Sequence, residues 1–152
     1  MQKFLKRAAV VAVMMSAMSQ AQQERGYWRA LSKTANAITG DVDISEVKIS
    51  INFYTTALAD IRSLQPAEVN AVFSSNEAAT GTGELYRMSI PGSKKFLHKN
   101  TLCGGEDAQW AAVYVSGKTM NMAIFSGAGM PVFTPEAIAG STNLCGTFSY
   151  VR

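Results

Sequence analysis

Apolar and polar residues alternate with a period of two between positions 47 and 54. The apolar side of this stretch is formed by Val47, Ile49, Ile51 and Phe53. A period of two is typical of a strand with one buried face, so we expect these four side chains to face a hydrophobic core. A weaker alternation over residues 36–45 precedes it, and the two stretches predict a hairpin that turns near Ser45-Glu46.

A second pair of segments is apolar on both faces. Residues 109–115 and 119–125 flank Ser116-Gly117-Lys118, which is typical of a hairpin turn. Because few polar side chains interrupt either segment, we expect both to form strands at the centre of a sheet.

The remaining pattern predicts shorter elements. Residues 84–90 form a strand that stops at Pro91-Gly92, and residues 147–151 form the last strand. Pro66 begins a short helix that runs to about Phe73, and Thr134 caps another that ends at Gly140. Residues 55–64 fit either a further strand or a helical turn. Together these elements predict a mainly β fold, a small antiparallel barrel or sandwich of six or seven strands with two or three short helical turns.

The first 21 residues have the three parts of a secretory signal peptide. A basic start precedes an apolar stretch, and small residues surround a cut after Ala21. The apolar stretch is too short to span a bilayer. We therefore expect residues 1–21 to be removed and residues 22–152 to form one domain, periplasmic or secreted, with no transmembrane segment.

The basic residues of this leader also account for the positive net charge of the full sequence. The full sequence carries 14 lysines and arginines against 11 acidic residues, a net charge of +3. Lys3, Lys6 and Arg7 lie in the leader, and every acidic residue follows it. The exported domain is therefore close to neutral, and we expect no nucleic-acid partner. Asp41 and Asp43 share one face of their segment and are expected to be solvated.

Cys103 and Cys145 are the two cysteines of the chain. An even number of cysteines in an exported protein favours a disulfide between them. A cysteine–histidine nucleophile with His98, or a pair of metal ligands, remains open as another use of these thiols.

Candidates for metal or catalytic chemistry are sparse. His98 is the sole histidine, so a histidine-based triad or metal site would have to be built on it. Met88, Met120 and Met122 are, with His98, weak candidates for ligands of a soft metal ion such as Cu(I). Methionine also fills hydrophobic cores, which is the simpler interpretation. We expect no cofactor and no enzymatic activity.

Gly26-Tyr27-Trp28 resembles the Gly-x-Trp sequence that opens the first strand of lipocalin-like barrels. The chain also ends in Arg152, a residue type that covers the tryptophan in that family. The resemblance covers these positions together with general size and β content, and it implies a barrel rather than a sandwich. It implies no ligand and no activity for this chain.

These observations favour a binding module, an inhibitor or accessory factor that acts on another exported protein. Residues 93–105 and 126–134 are the loops expected to carry its contacts, because loops on a rigid scaffold often carry function. The alternative is a carrier of a small apolar ligand inside a barrel. A metal protein or enzyme that uses the methionines or His98, or a purely structural role, is less favoured. We expect a monomer or a weak oligomer.

Overall fold

The computed structural model describes residues 23–74 and 82–152. The signal peptide predicted for residues 1–21 lies outside this part of the chain. Within it, nine antiparallel strands form one sheet, accompanied by three short α-helices. The mainly β architecture expected from the sequence is therefore confirmed, with more strands than the six or seven expected.

The strands have the bounds β1 Gly26–Ala30, β2 Val42–Ile44, β3 Lys48–Ile51, β4 Tyr54–Ala57, β5 Ala59–Leu64, β6 Thr82–Ile90, β7 Ala108–Ser116, β8 Thr119–Ser126 and β9 Leu144–Val151. The helices are α1 Lys33–Ala37, α2 Pro66–Phe73 and α3 Pro135–Ala139, and a 3₁₀ turn occupies Leu97–Lys99. Across the sheet the order is β4-β3-β2-β1-β9-β8-β7-β6-β5. No helix of the described residues has the length and apolar character needed to cross a bilayer.

The additional strands come partly from residues 54–64, most of which the sequence pattern assigned to either a strand or a helical turn. This segment forms β4 and β5 on either side of the buried Leu58. The backbone N–H of Leu58 donates to the carbonyl of Val47 at 2.8 Å, and after Leu58 the chain leaves β3 and pairs with β6. One segment thus supplies both outer strands, but these strands do not pair with each other, and the described sheet is not closed.

The alternation over residues 47–54 does not continue as one strand. Ile49 and Ile51 are buried as predicted, but Val47 and Phe53 are exposed, and the prediction that they face the core was wrong. Both lie in turns, because β3 comprises only Lys48–Ile51. The weaker alternation over residues 36–45 likewise yields only the short strand β2, since α1 occupies its first positions.

Two hydrophobic cores cover opposite faces of the central hairpin. Alternate residues of β7 enter different cores: Ala111, Val113 and Val115 enter the first, and Trp110, Ala112 and Tyr114 enter the second. Val69 and Val72 of α2 cover the second core. The hairpin predicted at residues 109–125 is therefore confirmed, and this double coverage explains why it is apolar on both faces.

Local capping explains where the two predicted helices begin. Pro66 occupies the first turn of α2, and the Glu68 carboxylate accepts a hydrogen bond from the backbone N–H of Gln65 at 2.9 Å. The Thr134 hydroxyl accepts from the backbone N–H of Ala137 at 3.2 Å at the start of α3. Both helices are confirmed. Their apolar residues, Val69 and Val72 of α2 and Ile138 of α3, pack in or against the second core.

Trp28 joins the first strand to the end of the chain. Its indole Nε1 donates to the carbonyl of Glu24 at 2.8 Å. The Arg152 guanidinium lies 4.2 Å from the Trp28 ring centroid, and its Nη1 donates to the carbonyl of Arg25 at 2.8 Å. The cover that the resemblance implied for this tryptophan is therefore present.

Cys103 and Cys145 form the disulfide that the sequence predicted. The bond ties the segment before β7 to the start of β9, across a separation of 42 residues. Neither sulfur is free to ligate a metal or to act as a nucleophile with His98.

Replacing both cysteines, Cys103→Ala with Cys145→Ala, should lower the free energy of unfolding by about 2–4 kcal/mol, because the cross-link restricts the unfolded chain. Urea unfolding followed by tryptophan fluorescence measures the difference between the oxidised protein and the double variant. The wild-type protein treated with a reducing agent provides the control. A midpoint that neither change lowers would contradict the prediction.

A buried carboxyl group lies at the start of the described chain. Glu24 is 1% exposed, and within residues 23–74 and 82–152 no other residue donates a hydrogen bond to either oxygen of its carboxyl group. Desolvation by burial raises the pKa of this carboxyl; the backbone N–H of Glu24 offsets part of the rise, and the nearby Asp60 carboxylate adds to it. Burial also raises the pKa of Glu84, although the Ser63 hydroxyl donates to it at 2.9 Å. The folded state therefore holds protons here more tightly than the unfolded chain does.

Glu24→Gln should stabilise the protein at pH 7 by about 1–2 kcal/mol, because it removes an unpaired buried charge while keeping the side-chain shape. A carboxyl whose folded pKa is raised contributes stability below its unfolded pKa, about 4.3, and loses it as the pH rises through the folded pKa. The advantage of the variant should therefore shrink as the pH falls towards 4. Denaturant unfolding across this pH range checks the result.

The matched control for this experiment is Glu46→Gln, since the Glu46 side chain is 76% exposed. This substitution should change stability little at any pH in the range. An advantage of Glu24→Gln that stays constant with pH would contradict the assignment of a raised pKa.

Candidate functional site

The turn between β3 and β4 places an aromatic side chain in solvent. Ile51 and Tyr54 pair across this turn, so the hairpin loop consists of Asn52 and Phe53. Their φ angles are 46° and 68°, as in the type I′ turn that suits the twist of a hairpin. Asparagine tolerates this conformation and glycine is the usual second residue, but here the second residue is phenylalanine.

Phe53 combines two unfavourable features. Its side chain is fully exposed, with a relative accessibility of 103%. Its backbone lies in the left-handed region, which costs a residue with a Cβ about 1–2 kcal/mol. A single exposed apolar side chain is common on protein surfaces. A positive φ at a position where glycine would be unstrained is less common, and the structural cost falls on an aromatic residue that packs in neither core.

An open groove of about 470 Å³ lies beside this turn. Its volume falls within the ~300–1,000 Å³ of pockets that hold small ligands. Strands β1 to β3, the segment before β2 and the 3₁₀ turn contribute its lining, which consists of Tyr27, Thr39, Gly40, Asp41, Val42, Asp43, Ser50, Asn52, Phe53 and Leu97. We call this groove, together with the turn at Asn52-Phe53, the tip groove.

Two chain segments meet closely at one side of the tip groove. The backbone N–H of Leu97 donates to the carbonyl of Ile38 at 3.0 Å, and the Asn100 amide donates to the carbonyl of Ala37 at 3.0 Å. Gly40 has a φ of 61°, and a Cβ at this position would come within 3.1 Å of Leu97 Cδ1. Glycine therefore permits both the backbone conformation and the contact that holds Leu97 in place.

Tyr27 is held in place by Asp41. The Tyr27 hydroxyl donates to Asp41 Oδ2, and the backbone N–H of Ala30 donates to Asp41 Oδ1 at 2.8 Å. The hydrogen bond from Tyr27 lowers the pKa of the Asp41 carboxyl, and the same bond raises the pKa of the Tyr27 hydroxyl. Asp41 therefore remains ionised at neutral pH and orients the exposed Tyr27 ring.

A row of polar side chains crosses the outward face of strands β1 to β4. Tyr27 lies opposite Asp43, Asp43 lies opposite Ser50, and Ser50 lies opposite Thr55. The hydroxyls of Ser50 and Thr55 hydrogen bond to each other at 2.8 Å. Asp41 and Asp43 are both exposed, as expected from the sequence. Among the described residues that line the tip groove, the charged side chains are Asp41 and Asp43. Arg29 lies close enough that its charge lowers the pKa of the Asp41 carboxyl.

The residues considered as soft-metal ligands lie in different environments. Met88, Met120 and Met122 are each at most 2% exposed and belong to the first core. His98 is exposed on the 3₁₀ turn. Within residues 23–74 and 82–152, no group of three or more His, Cys, Asp or Glu side chains is placed to hold a metal ion.

The two loops expected to carry contacts lie at different grooves. From residues 93–105, Leu97 lines the tip groove. Residues 126–134 lie instead at a groove of about 270 Å³, where Met130 and Val132 are exposed. The structure therefore brings one residue of the first loop, and none of the second, to the tip groove.

Sequence reasoning did not place Tyr27, Gly40 and Phe53 together at one site. The alternating pattern assigned Phe53 to the core, and the other two residues belong to different segments. The signal that could have located the turn is Asn52, because asparagine tolerates positive φ and is common in tight turns.

Comparisons of this chain with protein-family models, with curated proteins and with solved structures found no match.

Phe53→Gly should raise the free energy of unfolding by about 1 kcal/mol, because glycine adopts a positive φ without the steric cost of a Cβ. Denaturant unfolding of the variant and the wild-type protein measures the change. The matched control is Val47→Gly at the other end of the same strand, where φ is not positive and glycine only adds freedom to the unfolded chain. A Phe53→Gly variant that is less stable than wild type would contradict the strain argument.

Proposed function

We propose that this protein is an exported binding module that docks another exported protein at the tip groove. The observation that carries the proposal is Phe53, a fully exposed aromatic ring on a strained turn beside a groove that also contains Tyr27 and Leu97. Aromatic side chains supply much of the binding energy at protein interfaces, because they bury a large area and lose little conformational freedom.

The tip groove is also pre-organised. The hydrogen bond to Asp41 orients Tyr27, a backbone hydrogen bond holds Leu97, and the two-residue turn fixes the position of Phe53. A surface that is ordered before binding loses less entropy when a partner docks. This rigidity supports recognition of a defined segment of a partner.

The compartment of the partner follows from the proposed export. The predicted leader and the disulfide between Cys103 and Cys145 both favour an oxidising location, in the periplasm or outside the cell. A partner that meets this protein there is itself exported, as an enzyme with an inhibitor or accessory factor would be.

The alternative, a carrier of a small apolar ligand, has less support. The first core contains large side chains, and Trp28, Phe148 and Tyr150 are each at most 1% exposed. A carrier would need empty space where these rings pack. Docking on the outer surface is therefore the better supported function.

Photo-crosslinking in cells that export the protein tests the proposal. A photoreactive amino acid at Thr55, which is exposed and bonds to Ser50 of the tip groove, should form an adduct with a defined exported protein. The same residue introduced at Lys118, in the turn between β7 and β8, is the remote control. Mass spectrometry of the adduct identifies the partner for a direct binding measurement.

With the purified partner, Phe53→Ala should weaken binding about tenfold or more, because it removes the central aromatic anchor. Val47→Ala is the matched control, since Val47 is also an exposed apolar side chain in a turn, 59% accessible, but lies outside the groove lining. Unchanged affinity of Phe53→Ala, or an adduct formed equally from Lys118, would contradict docking at the tip groove.

A further inference from the structure

We infer that the partner segment held in the tip groove carries both an apolar side chain and an arginine. This inference rests on the proposed docking function and adds the chemistry of the segment that is recognised. It follows from the juxtaposition of an apolar part, formed by Phe53 and Leu97, and an anionic part, formed by Asp41 and Asp43, within one groove.

The size of the groove suits a short segment of a partner. A volume of about 470 Å³ accommodates a few side chains rather than a folded surface. Phe53 and Leu97 offer apolar area to an apolar side chain of the segment, and removing that area from water favours binding. The occupant is therefore a loop or a chain terminus with an exposed apolar residue.

The anionic part of the groove is only partly compensated within this chain. Asp41 accepts hydrogen bonds from Tyr27 and Ala30, and the charge of Arg29 also lowers the pKa of its carboxyl. Asp43 is exposed, and in the described part of the chain no ion pair or hydrogen bond satisfies its carboxylate. A cation supplied by the partner would complete this site.

The arrangement of Tyr27 and Asp43 favours arginine over lysine. These two residues are directly opposite each other on β1 and β2, a position that places side chains about 5 Å apart on one face. A guanidinium can hydrogen bond to the carboxylate through two N–H groups while its plane packs on the aromatic ring. An ammonium group lacks this planar geometry.

Four blocked peptides test the inference by NMR titration of the exported, disulfide-intact protein labelled with ¹⁵N. The peptides share glycine and serine flanks and differ only in the residue after a single leucine, which is arginine, lysine, glutamine or glutamate. The arginine peptide should bind at least about tenfold more tightly than the glutamate peptide at low salt, with shifts at the amides of Tyr27, Asp43 and Phe53. The difference should narrow at high salt, because the partner charge is solvent-accessible.

Asp43→Asn should remove the preference for arginine, whereas Glu136→Gln, which alters an exposed carboxylate on α3, should leave it unchanged. Equal binding of all four peptides, shifts confined to other residues, or no shift at about 10 mM peptide would overturn the inference. Shifts at the tip groove that depend on protein concentration without peptide would identify a second copy as the occupant and would also overturn it. If the crosslinked partner still requires Phe53 in any of these cases, the docking function stands and only the proposed charge recognition fails.

Discussion

The pairing of β1 with β9 is the interaction on which the rest of the structure depends. The first described strand and the last strand meet through only two opposed pairs, one of them Ala30 with Tyr150. In the hydrogen-bonded order of the sheet, β2 to β4 lie beyond β1, so backbone pairing connects the strands of the tip groove to the central hairpin through this junction. The Ser149 backbone accepts from the N–H groups of Leu31 and Ser32, which extends the pairing beyond the strand ends.

Side chains reinforce the same junction on the face of the sheet that the first core covers. The hydroxyls of Thr39 and Tyr150 lie 2.7 Å apart in a buried hydrogen bond, and Arg152 covers Trp28. The disulfide holds the start of β9 against the segment before β7. These contacts join residues that are distant in sequence and therefore hold together parts of the sheet that local structure alone would not connect.

The tip groove contains a turn whose backbone conformation is unfavourable for its residue type. Phe53 occupies a turn position that glycine would adopt with less backbone strain, and its ring packs in neither hydrophobic core. The burial of apolar side chains on β7 and β8 stabilises the protein by far more free energy than one strained turn costs. The stability gained in the cores therefore offsets a local cost at the surface, where the Phe53 ring is fully exposed.

Much of the fold could be predicted because its signals are local. The hairpin at residues 109–125, the helix that begins at Pro66, the helix capped by Thr134 and the cysteine pair each depend on a short pattern or on composition, and the structure confirms all of them. The tip groove could not be predicted in the same way. Its residues come from four separate segments, and the alternation that includes Phe53 is the same whether a strand continues or turns.

The amino-acid sequence by itself therefore determined the mainly β character, the positions of the central strands and the partners of the disulfide. These features follow from hydrophobic period, capping residues and cysteine number, which act over a few residues or through composition. The tertiary structure alone decided that β1 pairs with β9, that α2 covers the second face of the central hairpin, and that Phe53 is turned outward beside Tyr27 and Leu97. The physical reason is that these arrangements depend on which distant surfaces meet, and a local pattern specifies that a side chain is apolar without specifying what covers it.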